Sequence, residues 1–302
     1  MHLDFQLGED ETLVTSKLHL ARTAASAAGG PASAALELAG SPDLQLRSLK
    51  LNGAALPASA YSRTPKGGLL LHGPLPDGAP FELETVVAIK PQDNTALEGL
   101  YKSSGMFCTQ CEAESFRRIS FYLDRPDVMA RFTTRIEADK AKYPVLLSNG
   151  NLVAQGAAAG GRHFTVWEDP FPKPCYLFAL VAGDLAETAD SFTTASGRRV
   201  ALRIYTNAHN ADKTGWAMES LKASLAWDEK RYGLEYDLDL FNIVAVDDFT
   251  MCAQPAACCC VLFACAHACL QGCHGEQVSQ HLQQPPGACV AADRHRRRLR
   301  RH

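Results

Sequence analysis

Phe81-Glu82-Leu83-Glu84-Thr85-Val86-Val87-Ala88-Ile89-Lys90 is the stretch whose pattern decides the fold class. Phe81, Leu83, Thr85, Val87 and Ile89 alternate with Glu82, Glu84 and Lys90, the period of a strand with one buried and one wet face. The same period recurs outward in both directions. Val14, Leu18 and Leu20 share one face of an early strand, and Phe132, Thr134, Ile136 and Ala138 alternate with Arg131, Thr133, Arg135 and Glu137. Ser148-Asn149-Gly150-Asn151 lies between Val145-Leu146-Leu147 and Leu152-Val153. Asn-Gly tolerates positive φ, so a β-hairpin is predicted there. Residues 169–174, Asp-Pro-Phe-Pro-Lys-Pro, must be extended, because each proline fixes φ and removes a donor. The unbroken apolar run 176–181 predicts a strand covered on both faces. Gly67-Gly68 and Asp77-Gly78 mark turns, and the Ala/Gly/Ser-rich residues 24–39 read as a loop. Residues 1–184 are therefore predicted to form a mainly β domain.

Gly183-Asp184 is the predicted boundary. Beyond it Val200, Leu202 and Ile204 alternate as a strand. Asp212 is placed to cap a helix over about 213–232, with Ala217, Leu221 and Leu225 on one face and Gly233 as the stop. Residues 241–246 form another buried strand. The region 185–251 thus mixes strands and helix. From residue 252 the character changes: Cys258-Cys259-Cys260, Gln283-Gln284-Pro285-Pro286 and Arg296-Arg297-Arg298 follow one another without sustained period. The tail 252–302 reads as disordered and foreign to the fold, a shifted reading frame or intron read-through. A transcript spanning Met251 in frame would overturn that.

The net charge of -3 hides an asymmetry. Residues 252–302 carry six Arg against Glu276 and Asp293, for +4, leaving 24 basic and 31 acidic groups before them, for -7 (30 minus 6, 33 minus 2). An acidic body argues against nucleic-acid binding. No apolar run reaches the roughly 18 residues a membrane helix needs, so no membrane partner is predicted. The start, Met1-His2-Leu3-Asp4-Phe5, lacks the basic and apolar regions of a secretory signal. Of 11 cysteines only Cys108, Cys111 and Cys175 precede residue 252, a reduced, cytoplasmic pattern.

The chemistry-bearing residues cluster in Cys108-Thr109-Gln110-Cys111-Glu112-Ala113-Glu114 and Asp124-Arg125-Pro126-Asp127-Val128. The Cys-x-x-Cys pair lacks the second pair of a zinc ribbon and the βαβ setting of a redox motif, so structural thiols are expected. Asp124 to Asp127 is expected to be a charge-paired turn. Cys265, Cys269 and Cys273, with His267, His274 and His281 nearby, could bind a soft metal only on a scaffold the tail does not offer. The basic run 294–302 is read as an accidental terminus rather than a nucleic-acid arm.

Together with Asn94-Thr95-Ala96-Leu97-Glu98-Gly99-Leu100-Tyr101, Asp228-Glu229-Lys230-Arg231-Tyr232-Gly233-Leu234-Glu235-Tyr236-Asp237 and Val244-Ala245-Val246-Asp247, these stretches make residues 3–251 resemble the bacterial-type aminopeptidase N family of zinc metallopeptidases. The resemblance implies a saddle-shaped N-terminal β domain over 1–184 and, over 185–251, the incomplete start of a thermolysin-like catalytic domain. It implies that Glu112 binds the α-amino group of a peptide N-terminus, that Gln110 lines the same pocket, and that Met251 cushions the first side chain. A carboxylate suits that task because only a terminal ammonium can form the charge-assisted bonds it offers. After Met251 the resemblance stops. The family's Gly-Ala-Met-Glu-Asn is replaced by Cys252-Ala253-Gln254-Pro255, and no His-Glu-x-x-His occurs. Zinc, the family's cofactor, is therefore not expected to be bound by this chain, and neither is catalysis of its own. The alternative is a non-catalytic interaction module that docks on a partner or on the full-length enzyme through the face the missing catalytic domain leaves exposed.

Overall fold

The computed structural model describes residues 1–21, 35–72, 75–76, 79–246 and 260–263. In chain order the strands are β1 (His2–Gln6), β2 (Thr12–Leu20), β3 (Leu36–Leu38), β4 (Gln45–Leu51), β5 (Ala54–Ala55), β6 (Tyr61–Arg63), β7 (Leu69–Leu71) and β8 (Phe81–Ile89). They continue with β9 (Gly99–Ser103), β10 (Met106–Gln110), β11 (Met129–Asp139), β12 (Val145–Ser148), β13 (Asn151–Ala157), β14 (Arg162–Pro174) and β15 (Leu180–Gly183). Then come β16 (Ala186–Thr193), β17 (Arg199–Thr206), the helix α1 (Gly215–Tyr232), β18 (Leu240–Val246) and β19 (Cys260–Phe263). The protein is mainly β, and it divides into two compact units, one holding Met1–Leu185 and the other Ala186–Ala245.

The first unit is built on an eight-stranded sheet in the order β13-β14-β11-β1-β2-β8-β4-β5. All its neighbours run antiparallel except β1 and β11. A four-stranded sheet, β12-β15-β10-β9, and a three-stranded one, β3-β7-β6, complete it. The alternating residues point as their period requires: Phe81, Leu83, Thr85 and Val87 of β8 and Phe132, Thr134, Ile136 and Ala138 of β11 are buried. Phe178 joins the layers. Its ring centroid lies 5.8 Å from Phe5, 5.5 Å from Phe116 and 5.8 Å from Phe132. Each such ring contributes about 1.5–3 kcal/mol by leaving water.

The structure departs from the expectations at several places. Ser148-Asn149-Gly150-Asn151 is a corner between sheets, not a hairpin: β12 pairs with β15 whereas β13 pairs with β14. Gly150 does take positive φ, +89°. What prevents a hairpin is tertiary. The Asn149 side chain accepts from Ala179 N (2.7 Å) and donates to Leu177 O (3.1 Å), so the chain is tied to the segment leading into β15 before it turns. The apolar run 176–181 is not one strand, because Cys175–Leu177 winds into a 3₁₀ turn and β15 begins at Leu180. Within 24–39, Leu36–Leu38 is a strand paired to β7 rather than loop. The Gly67-Gly68 turn closes as expected: Thr64 N donates to Gly68 O, Gly67 N to Thr64 O, and Gly68 N to the Thr64 hydroxyl. Asp77-Gly78 lies outside the described residues, as does the tail apart from the extended backbone of Cys260–Phe263.

In the second unit β16 runs antiparallel to β17, which runs parallel to β18, and α1 makes the crossover between β17 and β18. Met218, Leu221 and Leu225 form its buried face, and Gly233 at φ +68° ends it. Asp212 does not cap this helix. Residues Ala208–Lys213 are a 3₁₀ helix, and Thr214 turns its hydroxyl back to Ala211 O (2.9 Å), so α1 starts at Gly215 without a side-chain cap.

Candidate functional site

The site grows from β10. All five of its side chains are buried, and it is held on both sides, by β9 (Gln110 opposite Gly99) and by β15 (Cys108 opposite Val181). Thr109 adds a side-chain clamp, its hydroxyl accepting from Leu180 N at 2.8 Å. Gly99, at φ +72°, lets Arg118 and Ser115 approach, and a Cβ there would lie 2.8 Å from Arg118 Cβ. Past Gln110, itself 7% exposed, the strand leaves its sheet. Cys111 is buried, Glu112, Ala113 and Glu114 are exposed, and Ser115 is buried again. The Cys111 carbonyl accepts from Ser115 N (2.9 Å), closing the turn, in which the Glu112–Ala113 peptide is cis. Glu112 is thus a solvent-facing carboxylate raised on a short bridge between two buried anchors.

A polar cluster lies beside that bridge, and the sequence reading missed it. Asp124, 3% exposed, accepts from Arg117 N (3.1 Å) and Nε (2.8 Å) through Oδ2 and from the Cys175 thiol (3.0 Å) through Oδ1. Arg117 also donates to Asp124 O (3.1 Å) and pairs with Glu114 at 2.8 Å, so the cluster reaches the bridge itself. Burial, then the hydrogen bond to Asp124, pushes the Cys175 thiol up. Burial, then the charge of Asp124, pushes the Cys111 thiol up well above its ordinary value. Tyr122 is raised for the same reasons, burial first and then Cys175 and Asp124. The stretch 124–127 therefore splits. Arg125 and Asp127 are an exposed two-point pair (3.0 and 2.9 Å), the charge-paired turn expected, while Asp124 turns inward. Cys108, Cys111 and Cys175 are buried thiols outside any disulfide. The Cys175 thiol is the one that donates to Asp124.

Of the three residues the resemblance assigned to substrate, Gln110 and Glu112 flank Cys111 at the end of β10, and Met251 lies outside the described residues. Among the described residues no group of three or more His, Cys, Asp or Glu could hold a metal ion. The donors that come nearest are unsuited to zinc. Binding needs thiolates, and the two thiols are held protonated beside an aspartate already committed to Arg117.

Residues 79–177 match the Peptidase M1 N-terminal domain. Aminopeptidase N of Escherichia coli (strain K12) is 54% identical over 252 residues, 83% of this chain and 28% of that protein. The N-terminal portion of the chain is of aminopeptidase N type. Aminopeptidase N of Caulobacter vibrioides is 50% identical over 252 residues, again 28% of its length. Among solved structures, that of Legionella pneumophila aminopeptidase A in complex with aspartic acid superposes with TM-score 0.75 at 34% identity, over 82% of this chain and 28% of that one. The chain thus spans little more than a quarter of the length of these aminopeptidases. The similarity to them covers the β-rich first unit and the fold matches an aminopeptidase N-terminal region. Among the described residues no helix is long and apolar enough to cross a membrane.

Proposed function

We propose that residues 1–251 are the N-terminal part of a zinc aminopeptidase that removes N-terminal amino acids from peptides, with an N-terminal β domain over 1–184, the start of a catalytic domain over 185–251, and a tail over 252–302 that is not part of it. In this reading Glu112 takes the α-ammonium of the peptide, Gln110 lines the same pocket and Met251 supports the first side chain. The observation that carries the reading is the placement of Glu112, an exposed carboxylate on a turn anchored at both ends. A preorganised carboxylate selects a free amine over an internal amide because only the former brings a charge. Zinc, in the family, polarises the scissile carbonyl and activates water. This chain contributes amine recognition and holds no zinc, so by itself it does not hydrolyse peptides. The buried thiols, none of them in a disulfide, fit a reducing, cytoplasmic setting.

The test is direct. The purified chain, given zinc and an alanyl or leucyl chromogenic amide, shows no turnover, whereas metal-dependent hydrolysis abolished by Glu112→Gln would overturn the inactivity. The amine role is read separately: NMR shifts at residues 110–114 move with leucinamide and not with its N-acetyl derivative.

A second reading, an interaction module docking on the full-length enzyme, draws on Trp216 (56% exposed) and Trp227 (52% exposed). Eleven residues apart, they share the outer face of α1. Co-elution with the intact enzyme in size-exclusion chromatography would favour it.

A further inference from the structure

The sequence contains Asn-Gly twice, at 52–53 and at 149–150, and the fold puts the two in opposite surroundings. We propose that Asn52 is a site of spontaneous covalent modification, deamidation to aspartate and isoaspartate, and that Asn149 is protected from the same reaction by the fold.

Asn52-Gly53 is the two-residue loop between β4 and β5, with φ +49° and +79°, the hairpin conformation Asn-Gly favours. Both residues are exposed, and no heavy atom lies within 4 Å of where a Gly53 Cβ would stand. The Asn52 side-chain oxygen accepts from Glu82 N at 2.8 Å. That donor sits where negative charge develops when a nucleophile adds to Asn52 Cγ, and so favours the addition. The reaction is intramolecular. Hydroxide removes the Gly53 N–H proton, the nitrogen attacks Asn52 Cγ, and the Cγ–Nδ2 bond breaks as ammonia leaves with a proton from water. The resulting succinimide is opened by water at either carbonyl, giving aspartate or, with an extra methylene in the backbone, isoaspartate. The balance is one water in and one ammonia out. The arm that must adapt is the two-residue β5, at the end of its sheet.

Asn149 has the same polarised carbonyl, accepting from Ala179 N at 2.7 Å, but lacks the rest. It is 4% exposed, and the amide nitrogen that would leave donates to Leu177 O at 3.1 Å. A Cβ on Gly150 would lie 2.1 Å from Glu168 O and 2.7 Å from Asp169 Cα, so the peptide that must rotate to attack is boxed in by backbone.

The experiment is to age the intact folded chain in mildly alkaline buffer and follow the two peptides by mass spectrometry. Isoaspartate is identified by labelling with an isoaspartyl methyltransferase and a labelled methyl donor. The residue-52 peptide gains one dalton and takes the label about tenfold or more faster than the residue-149 peptide, whose reaction must wait for unfolding. In denaturant the two rates converge. Gly53→Ala slows the first site while leaving the second unchanged. Equal rates at both sites in the folded chain, faster reaction at residue 149, or no reaction at residue 52 under conditions where the denatured chain reacts would each overturn the proposal.

Discussion

Residue-scale consequences are sharpest at the two glycines just contrasted. Gly150→Ala places a methyl group against the Glu168 carbonyl at a φ of +89°, and is expected to destabilise the first unit by about 2–4 kcal/mol in urea titration. Gly53→Ala, with the same sign of φ but open space around it, is expected to cost only about 1 kcal/mol. The Asp124 cluster gives a second test. Asp124→Ala leaves Arg117 and the Cys175 thiol without their acceptor, at a cost of about 2–3 kcal/mol. Thiol alkylation followed by peptide mapping should find Cys108, Cys111 and Cys175 unreactive in the folded chain, since burial holds Cys111 and Cys175 protonated and all three inaccessible. Gln110 and Glu112 were legible from the sequence as a motif, but Asp124 was not. Its partners stand 7 and 51 residues away, and nothing local distinguishes an inward aspartate from the exposed Asp127 three positions later.

Elements show the difference between local and nonlocal signals. In β14, Lys173 and Asp169 form a fully buried ion pair on an extended, proline-rich segment. Lys173→Met alone should cost about 3–5 kcal/mol by stranding Asp169, and adding Asp169→Leu should return part of that loss. A double-mutant cycle in urea reads the coupling. In α1, Leu221→Ala should cost about 2–5 kcal/mol and Trp216→Ala almost nothing, because only the first is buried. Strands β2, β8, β11 and β17 could be read from their period, and the stop of α1 from Gly233, because those signals reside in neighbouring residues. The start of α1 and the extent of β15 could not, since a 3₁₀ turn at each place depends on what the backbone meets in space.

Across the first unit, acid should be the condition that weakens the fold. Glu9 is held below its ordinary pKa by its bonds from Tyr143 and then Lys102, Glu84 by Lys50 and Lys17, and Glu137 by Arg162 and Arg135. A depressed carboxylate contributes stability that is whole above the unfolded value and is lost as pH falls through the folded one. Stability should therefore hold at neutral pH and decline as pH drops below the ordinary glutamate value of 4.5, a change that chemical denaturation across pH 3–6 would reveal. A flat profile there would show that these pairs are formed equally in the unfolded chain. The amino-acid sequence alone established that the protein is mainly β and that its N-terminal portion is of aminopeptidase N type, and it offered Glu112 as the carboxylate that the resemblance assigns to an amine, because period, turn chemistry and contiguous motifs are carried by adjacent residues. Only the tertiary structure decided that Ser148–Asn151 turns a corner between two sheets, that Asp124 and Cys175 lie beside the Glu112 turn, and that one Asn-Gly is sealed while the other faces water. Each of those outcomes is set by hydrogen bonds and close contacts between segments tens of residues apart, which leave no mark on local sequence.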